Sequence, residues 1–232
     1  MMKVVAVIPA FNAARTLEPV VRGAREQLDT VVVVDDGSAD GTAEVAARAG
    51  ATVLKHEVNR GKGAALKTAF QWACGQDVDG IVTLDADGQH LPKEIPKFLA
   101  CHGETRADLI IGGRAHLFGQ MLPRRRMANR FSAWTIAIAS GAKVTDSQSG
   151  YRFYSTRMLR DMHLHDDGFA MESEVIVRAG RYGFQVLTTP IDLGFVDGLS
   201  TSHYKPIADT IRIAVVVART WLSCLVWRRR GR

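Results

Sequence analysis

The pattern of hydrophobic and polar positions divides the first half of the chain into short apolar runs separated by helical periodicities. Val4-Val5-Ala6-Val7-Ile8 is unbroken by any polar residue, as in a parallel strand buried on both faces. Pro9-Ala10-Phe11-Asn12 interrupts it. Leu17, Val20, Val21, Ala24 and Leu28 recur at helical spacing within residues 14–28. Val31 to Val34 is a second buried strand, ending in Asp35-Asp36-Gly37-Ser38. Asp40-Gly41-Thr42 opens a helix through Ala49, with Gly50 placed to cap it. Thr52 to Lys55 reads as a third strand, Asn59-Arg60-Gly61-Lys62-Gly63 as a loop, and Ala64 to Cys74 as a helix. Ile81 to Leu84 is a fourth strand that stops at Asp85, Pro92 starts another helix, and Leu109-Ile110-Ile111 is a further strand. Strands alternating with helices in units of about thirty residues predict an α/β fold with a mixed, mainly parallel sheet flanked by helices.

The second half has a different texture. Leu117 to Arg130 is basic and runs into Phe131 to Ala139, a helical stretch without charge that is too short to cross a bilayer. Asp146-Ser147-Gln148-Ser149-Gly150 is a polar loop leading into a short strand over Tyr151 to Tyr154. Met171 begins a helix that runs to Tyr182, and Gln185 to Thr189 and Ile191 to Phe195 read as late strands. Asp197 to Lys205 has the small, polar composition of a lid loop. The last helix, Pro206 to Trp227, gathers Asp209, Arg212, Arg219 and Ser223 into one stripe on an otherwise apolar surface. Spanning a bilayer would place Arg212 or Arg219 in hydrocarbon at roughly 2.5–3.5 kcal/mol each. A helix lying in the membrane interface avoids that cost, and its tryptophans and terminal arginines suit the headgroup layer. The same pattern also fits a helix packed on the protein's own core.

Composition adds few constraints. The 232 residues are 47% hydrophobic and 23% charged, enough for one large α/β domain or two small ones. The net charge of +6 is concentrated. Arg124, Arg125, Arg126 and Arg130 form one cluster, and Arg228, Arg229, Arg230 and Arg232 another. Such clusters suit a phosphate-bearing partner or an anionic bilayer, and equally a solubilising surface. Cys74, Cys101 and Cys224 show no paired or metal-type spacing and fit a reducing compartment. A strand pattern from Lys3 onward leaves no room for a signal peptide.

Chemistry concentrates where strands end. Asn12, Asp35-Asp36, the Asn59 to Gly63 loop and Asp85-Ala86-Asp87 follow four successive strands, the edge at which open α/β sheets bind ligands. Two carboxylates one residue apart are hard oxygen ligands suited to Mg2+ or Mn2+, with substrate phosphates completing the shell, and Gln89 offers a neutral oxygen. Read alone, the same residues also make a polar turn. Gly61-Lys62-Gly63 lacks the rest of a phosphate-binding loop, and no G-x-G-x-x-G is present, which argues against a standard ATPase or nicotinamide enzyme. Lys62 is still placed to meet a nucleotide, or to be an exposed lysine at a helix start.

Taken jointly, these stretches resemble glycosyltransferase family 2, in its dolichyl-phosphate mannose synthase and polyprenyl-phosphate glucosyltransferase branch. The matching segments are Val7 to Asn12, Val33 to Ser38, Asn59 to Gly63, Leu84 to His90, Gly112-Gly113-Arg114 and Asp146 to Arg152. Beyond residue 155 the match thins to Glu172-Ser173-Glu174 and the region of Ser202-His203-Tyr204. The resemblance implies a GT-A fold and an inverting, metal-dependent hexosyl transfer from a nucleotide sugar, of GDP-mannose or UDP-glucose type, to a polyprenyl phosphate. By the same carry-over, Pro9, Asp36 and Lys62 fall on the nucleotide and Asp85 on the donor diphosphate, with Phe11 and Asn12 as further donor candidates. Asp85, Asp87 and Gln89 fall on the Mg2+ or Mn2+ ion and Arg114 and Arg126 near the lipid phosphate, with Arg125, Gln148, Glu174 and His203 as further acceptor candidates in this chain. Asp85, Asp87, Asp146 and Arg114 carry catalysis.

In domain terms the resemblance implies a transferase domain over residues 1–200. Its nucleotide-sugar half is 1–112 and its acceptor half 113–200, followed by the lid loop and membrane-associating helix at 201–232. The expected location is the cytoplasmic face of a membrane, held peripherally, with no nucleic-acid partner. Three departures stand out. Asn12-Ala13 replaces the usual Asn-Glu and removes one donor contact, residues 197–205 lack the G-x-S-K loop, and the synthase tail of several spans is missing. A lipid-phosphate acceptor is already ionised, whereas a hydroxyl acceptor needs a base, for which Asp146 is the candidate and Glu174 the second. That alternative acceptor, a same-fold nucleotidyltransferase and a non-catalytic basic membrane-binding module are the competing readings.

Overall fold

The computed structural model describes residues 2–116, 123–194 and 206–229, with only helical backbone at 123–125, 128, 206–210 and 226–229. In chain order the elements are β1 (Val4–Ala10), α1 (Leu17–Gln27), β2 (Thr30–Asp35), α2 (Thr42–Arg48), β3 (Thr52–Lys55), α3 (Lys62–Cys74) and β4 (Gly80–Thr83). A 3-10 turn at Pro92–Glu94 then leads into α4 (Ile95–Thr105), β5 (Leu109–Gly113), α5 (Pro123–Ser140), β6 (Arg152–Ser155), α6 (Thr156–Arg160), α7 (Met171–Tyr182), β7 (Val186–Pro190) and α8 (Pro206–Arg229). The seven strands form one sheet in the order β3-β2-β1-β4-β6-β5-β7. Only β6 runs antiparallel to its neighbours β4 and β5; the other pairings are parallel.

The unbroken apolar strands follow from burial on both faces. Along β1, Val5 and Val7 point into one core with Val32, Val34, Leu66, Phe70 and Ile176. Ala6 and Ile8 point into the other, with Val20, Val31, Val33 and Phe98. Each fully buried Val or Ile contributes roughly 1.5–3 kcal/mol by leaving water. The chain therefore has no polar positions to spare in the middle of β1 and β2, and its polar residues collect at and just past the strand ends.

Several elements differ from the pattern-based expectation. β1 continues through Pro9 to Ala10. The carbonyl of Val7 faces β4, so residue 9 faces the same way, and β4 has ended by then; a missing N–H there costs no ladder bond. Helix α3 starts at Lys62, inside the Gly61-Lys62-Gly63 segment. Residues 191–194 form no strand: Leu193 makes one bridge to His90, and Gly194 N–H donates to the Gln89 carbonyl at 2.9 Å. The apolar alternation there serves packing under the Gly88–Leu91 loop. Helix α6, too short to carry a period, is capped by Ser155, whose Oγ accepts the Met158 N–H at 3.2 Å.

Helix α8 lays one face on α5 and α7, burying Ile213, Val217, Thr220 and Cys224. Its other face exposes Ile211, Val215 and Leu222 beside Arg212 and Arg219. Packing on the protein's own core thus accounts for half of this helix, and the polar stripe lies among exposed apolar residues. No helix among the described residues is long and apolar enough to cross a membrane.

Candidate active site

In the strand order β3-β2-β1-β4, β1 and β4 are neighbours whose connections leave in opposite directions, which opens a crevice at their carboxyl ends. Residues 9–12 line one side of that crevice and Asp85-Ala86-Asp87 the other. Thr16, just ahead of α1, ties the two sides by donating its hydroxyl to the Ala86 carbonyl at 2.7 Å.

Asp85 is the centre of the site. Its Oδ1 accepts a hydrogen bond from Lys62 Nζ at 2.6 Å, and Lys62 Nζ lies 3.4 Å from Glu172 Oε2. Burial pushes the Asp85 carboxyl up, but the Lys62 ammonium, by its charge and its hydrogen bond, more than offsets this and holds it below the usual carboxylate range. Burial pulls Lys62 down, but Asp85 and Glu172 leave it above the ordinary lysine value. Both groups are charged at neutral pH. His90 reaches within 3.5 Å of Asp85 Oδ2. Its Nδ1 already accepts the Asp85 backbone N–H at 2.9 Å, and burial lowers its pKa, so this is a contact of a neutral ring and not an ion pair.

Gly150 makes this approach possible. A Cβ there would stand 2.7 Å from Lys62 Nζ and 3.0 Å from both Asp85 carboxylate oxygens. Asp87, also half-buried, uses Oδ1 to accept the Gln89 N–H at 2.9 Å, which fixes the turn. The described residues contain no group of three or more His, Cys, Asp or Glu side chains gathered for a metal. Two carboxylates at the crevice with Gln89 between them and His90 is a sparse, all-oxygen set. It fits a Mg2+ or Mn2+ ion that takes its remaining ligands from substrate phosphates.

Arg114 follows β5 and is held by Asp146. Its Nε and Nη2 donate to Oδ2 and Oδ1 of Asp146 at 2.7 and 3.1 Å. The Arg114 and Gln148 backbone N–H groups donate to the same carboxylate at 3.2 and 3.1 Å. With four donors on a fully buried carboxylate, Asp146 has no oxygen left for a substrate proton. The arrangement is that of a carboxylate aiming an arginine. Arg152, fully buried, supports the same loop by donating to the Ser147, Ser149 and Glu172 carbonyls at 2.8, 2.7 and 2.7 Å.

The remaining expected residues distribute as follows. Asp36 is buried, accepting from His56 Nδ1 at 2.6 Å and from the Arg60 and Gly61 N–H groups at 3.0 and 2.7 Å, so it holds the loop that delivers Lys62. Asn12, at φ 49°, accepts the Ala39 N–H on Oδ1 at 3.0 Å and braces the β2 turn. Phe11, just past the end of β1, is exposed, and Pro9 is half-buried. Gln148 reaches Ser132 Oγ on α5 at 3.4 Å. Glu174 is engaged elsewhere. Its carboxylate accepts from the His165 and Asp166 N–H groups, both at 3.0 Å, and from Arg178 Nε at 2.9 Å, and these bonds outweigh burial and depress its pKa. Arg126 is exposed on α5, lining a cavity of about 580 Å³ with Met127, Arg130, Phe131 and Trp134. The Arg125 side chain and His203 lie outside the described residues. The sequence pattern singles out neither Gly150 nor Arg152 as a site residue, and it points to Glu174, whereas Glu172 is the carboxylate that lies beside Lys62. A Glu-x-Glu pair at a helix start cannot put both side chains on one face, which was the available signal.

A profile described as "Glycosyl transferase family 2" matches residues 5–168. The undecaprenyl-phosphate mannosyltransferase of Micrococcus luteus is 31% identical over 82% of this chain and 83% of its own. The polyprenol monophosphomannose synthase of Mycolicibacterium smegmatis is 30% identical over 80% of this chain and 75% of its own. Among solved structures, glucosyl-3-phosphoglycerate synthase from Mycobacterium tuberculosis, in complex with Mn2+, UDP and phosphoglyceric acid, superposes with a TM-score of 0.67 at 20% identity. That match covers 96% of this chain and 78% of the synthase, a likeness of fold.

Proposed function

The chain belongs to glycosyltransferase family 2, and from that membership we propose that it moves a hexose from a nucleotide sugar to a polyprenyl phosphate, with inversion at the anomeric carbon. The observation that carries the reading is the pairing, in one crevice, of the Asp85–Lys62 and Asp146–Arg114 couples. One couple suits the diphosphate end of a donor and the other an anionic acceptor.

Asp85, Asp87 and Gln89 would hold a divalent cation, which when bound supplies Lewis-acid neutralisation of charge on the departing diphosphate. Lys62, whose charged form Asp85 and Glu172 favour, hydrogen-bonds to Asp85 and would stabilise the same developing charge. Arg114, aimed by Asp146, offers its remaining N–H groups to the acceptor phosphate in the bidentate manner lysine cannot match. A lipid phosphate enters already ionised, so no general base is required. The four-donor environment of Asp146 favours this acceptor over a hydroxyl, which would need that carboxylate free.

The acceptor's lipid tail needs a membrane, and α5 supplies a face for one. Met127, Phe131, Trp134 and Ile138 recur along one side of the helix and are all exposed, Trp134 by 61%. Arg126 and Arg130 flank them. Exposed Ile211, Val215 and Leu222 of α8, which packs on α5, provide further apolar surface. Apolar side chains at acyl depth with arginines at headgroup depth suit peripheral attachment to an anionic leaflet, at about 1 kcal/mol per arginine. We place this attachment on the cytoplasmic face, where such lipids are concentrated.

The deciding experiment is a calorimetric donor screen with Mn2+, over UDP-glucose, GDP-mannose and related sugar nucleotides, followed by turnover with a short polyprenyl phosphate. A lipid-linked hexose is expected. Donor binding with turnover only on hydroxyl acceptors would overturn the acceptor assignment, and absence of metal-dependent nucleotide binding would overturn the reading entirely.

A further inference from the structure

Arg212 belongs to the polar stripe of α8, and nothing in the chemistry so far uses it. Its guanidinium meets the turn at residues 166–169 that precedes α7. Nη2 lies 3.7 Å from Asp166 Oδ2. A Cβ on Gly168 would stand 2.9 Å from Nη2 and 3.1 Å from Cζ, so the guanidinium occupies the space that a side chain at 168 would fill. Asp166 Oδ1 accepts the Gly168 N–H at 2.8 Å, and the Asp166 N–H donates to Glu174 Oε2 at 3.0 Å. Asp166, Asp167, Glu172 and Glu174 crowd their carboxylates between residues 166 and 174. Each has a cation: Lys67 on Asp167, Lys62 beside Glu172, Arg178 on Glu174 and Arg212 on Asp166. Of these cations, Arg212 is the one that α8 supplies.

The other side of the same turn meets α3 where Lys62 leaves it. The Asp167 carbonyl accepts the Ala64 N–H at 3.1 Å. A Cβ on Gly61 would stand 2.7 Å from the Asp167 carbonyl oxygen, and one on Gly63 would stand 2.6 Å from the Gly168 carbonyl oxygen. These are contacts of backbone on backbone at both neighbours of Lys62, with no flexible side chain between them to absorb a displacement. A turn pressed from one side by Arg212 therefore passes its position on to Lys62, whose Nζ donates to Asp85 Oδ1 at 2.6 Å. The Arg212 side chain is 60% exposed, so the pair adds little to global stability and its effect is local.

We propose that Arg212 is a positioning residue: it clamps the 166–169 turn onto α3 and so holds Lys62 at the diphosphate end of the donor. It acts through the turn and Lys62, and the proposal rests on the nucleotide-sugar reading. Calorimetry on the full chain with Mn2+ tests it by setting a nucleoside diphosphate against its monophosphate, UDP against UMP and GDP against GMP. Arg212→Gln is expected to weaken the diphosphate about three- to tenfold and leave the monophosphate within about twofold, because Lys62 serves the diphosphate. Arg212→Lys keeps the charge and is expected to recover most of the lost affinity. Gly168→Ala, at a position without positive φ, crowds the guanidinium from the turn side and is expected to show the same split. Combined with Arg212→Gln it should cost less than the sum of the two, as for groups that share one contact. Equal weakening of diphosphate and monophosphate, no weakening of the diphosphate, or a Lys variant no better than Gln overturns the clamp while leaving the transferase reading intact. Failure of wild type to bind any of the four nucleotides overturns both.

Discussion

Replacing Asp146 by Asn tests the central electrostatic argument of the acceptor side. Asp146 is fully buried and carries four N–H donors, two of them from the Arg114 guanidinium, whose side chain is only 12% exposed. Asn keeps the shape but turns one acceptor into a donor. At least one of the four N–H groups then faces another N–H, and the buried guanidinium loses its counter-charge. Removing one partner of a buried ion pair costs about 3–5 kcal/mol. For a chain of 232 residues, with roughly 2–4 °C of Tm per kcal/mol, thermal unfolding should shift down by about 6–20 °C.

Function should split in a defined way. Donor affinity by calorimetry should change little, because Asp85 and Lys62 are untouched, whereas kcat/KM for the lipid phosphate should fall about 100-fold as Arg114 loses its aim. The double variant Arg114→Met/Asp146→Leu removes both charges, and its cost should fall below the summed single costs by about 2 kcal/mol or more. A Tm within 2 °C of wild type for Asp146→Asn, together with additive costs in the double variant, would refute the pairing as the organiser of this loop. Disappearance of the acid limb of the pH–rate profile, with the rate loss greatest above that limb and stability unchanged, would make Asp146 a base after all.

Three further outcomes follow from the geometry. Gly150→Ala places a Cβ 2.7 Å from Lys62 Nζ and 3.0 Å from both Asp85 carboxylate oxygens; these side-chain ends must part to admit it, so Mn2+-dependent nucleotide affinity should drop at least tenfold. Glu174 has its pKa depressed in the native state by N–H and Arg178 donors, so its contribution is fully present above the ordinary glutamate value of 4.5 and is lost as pH falls below that through the depressed native value. The stability gap between wild type and Glu174→Gln, read by urea denaturation, should accordingly be widest at pH 6–7 and narrow progressively below about pH 4.5; a gap that is constant with pH counts against the assignment. Trp134→Glu, at an exposed position on α5, should leave Tm and donor binding unchanged while abolishing co-sedimentation with vesicles rich in anionic lipid, and retained sedimentation would remove α5 from the membrane face.

How much of this was legible beforehand depends on the range over which each signal acts. Strands β1, β2 and β4 announced themselves because burial on both faces excludes polar residues for several positions running, a purely local signature. Their carboxyl ends announced the crevice for the same reason: polar residues barred from the strands crowd the first positions after them. Pairings were not legible, because a pairing joins residues far apart in sequence. Nothing near Asp146 says that its four lone-pair sites go to Arg114 and Gln148, and nothing near Glu174 says that residues 165, 166 and 178 will consume it. Glu172 and Glu174 are chemically identical two positions apart, and helix geometry turns them roughly 200° from each other. One therefore had to face inward to structure and the other to the crevice, but which did which depended on the Asp166–Phe169 turn docking against α3. The apolar surface of α8 was similarly ambiguous: a hydrophobic residue reads alike whether it meets Cys224's neighbours in the core or a lipid chain outside. Only packing against α5 and α7 separates Ile213 and Val217, which are covered, from Ile211 and Val215, which are not. A membrane face is visible in sequence only as an excess of hydrophobic residues, and it becomes a surface once the core has claimed its share.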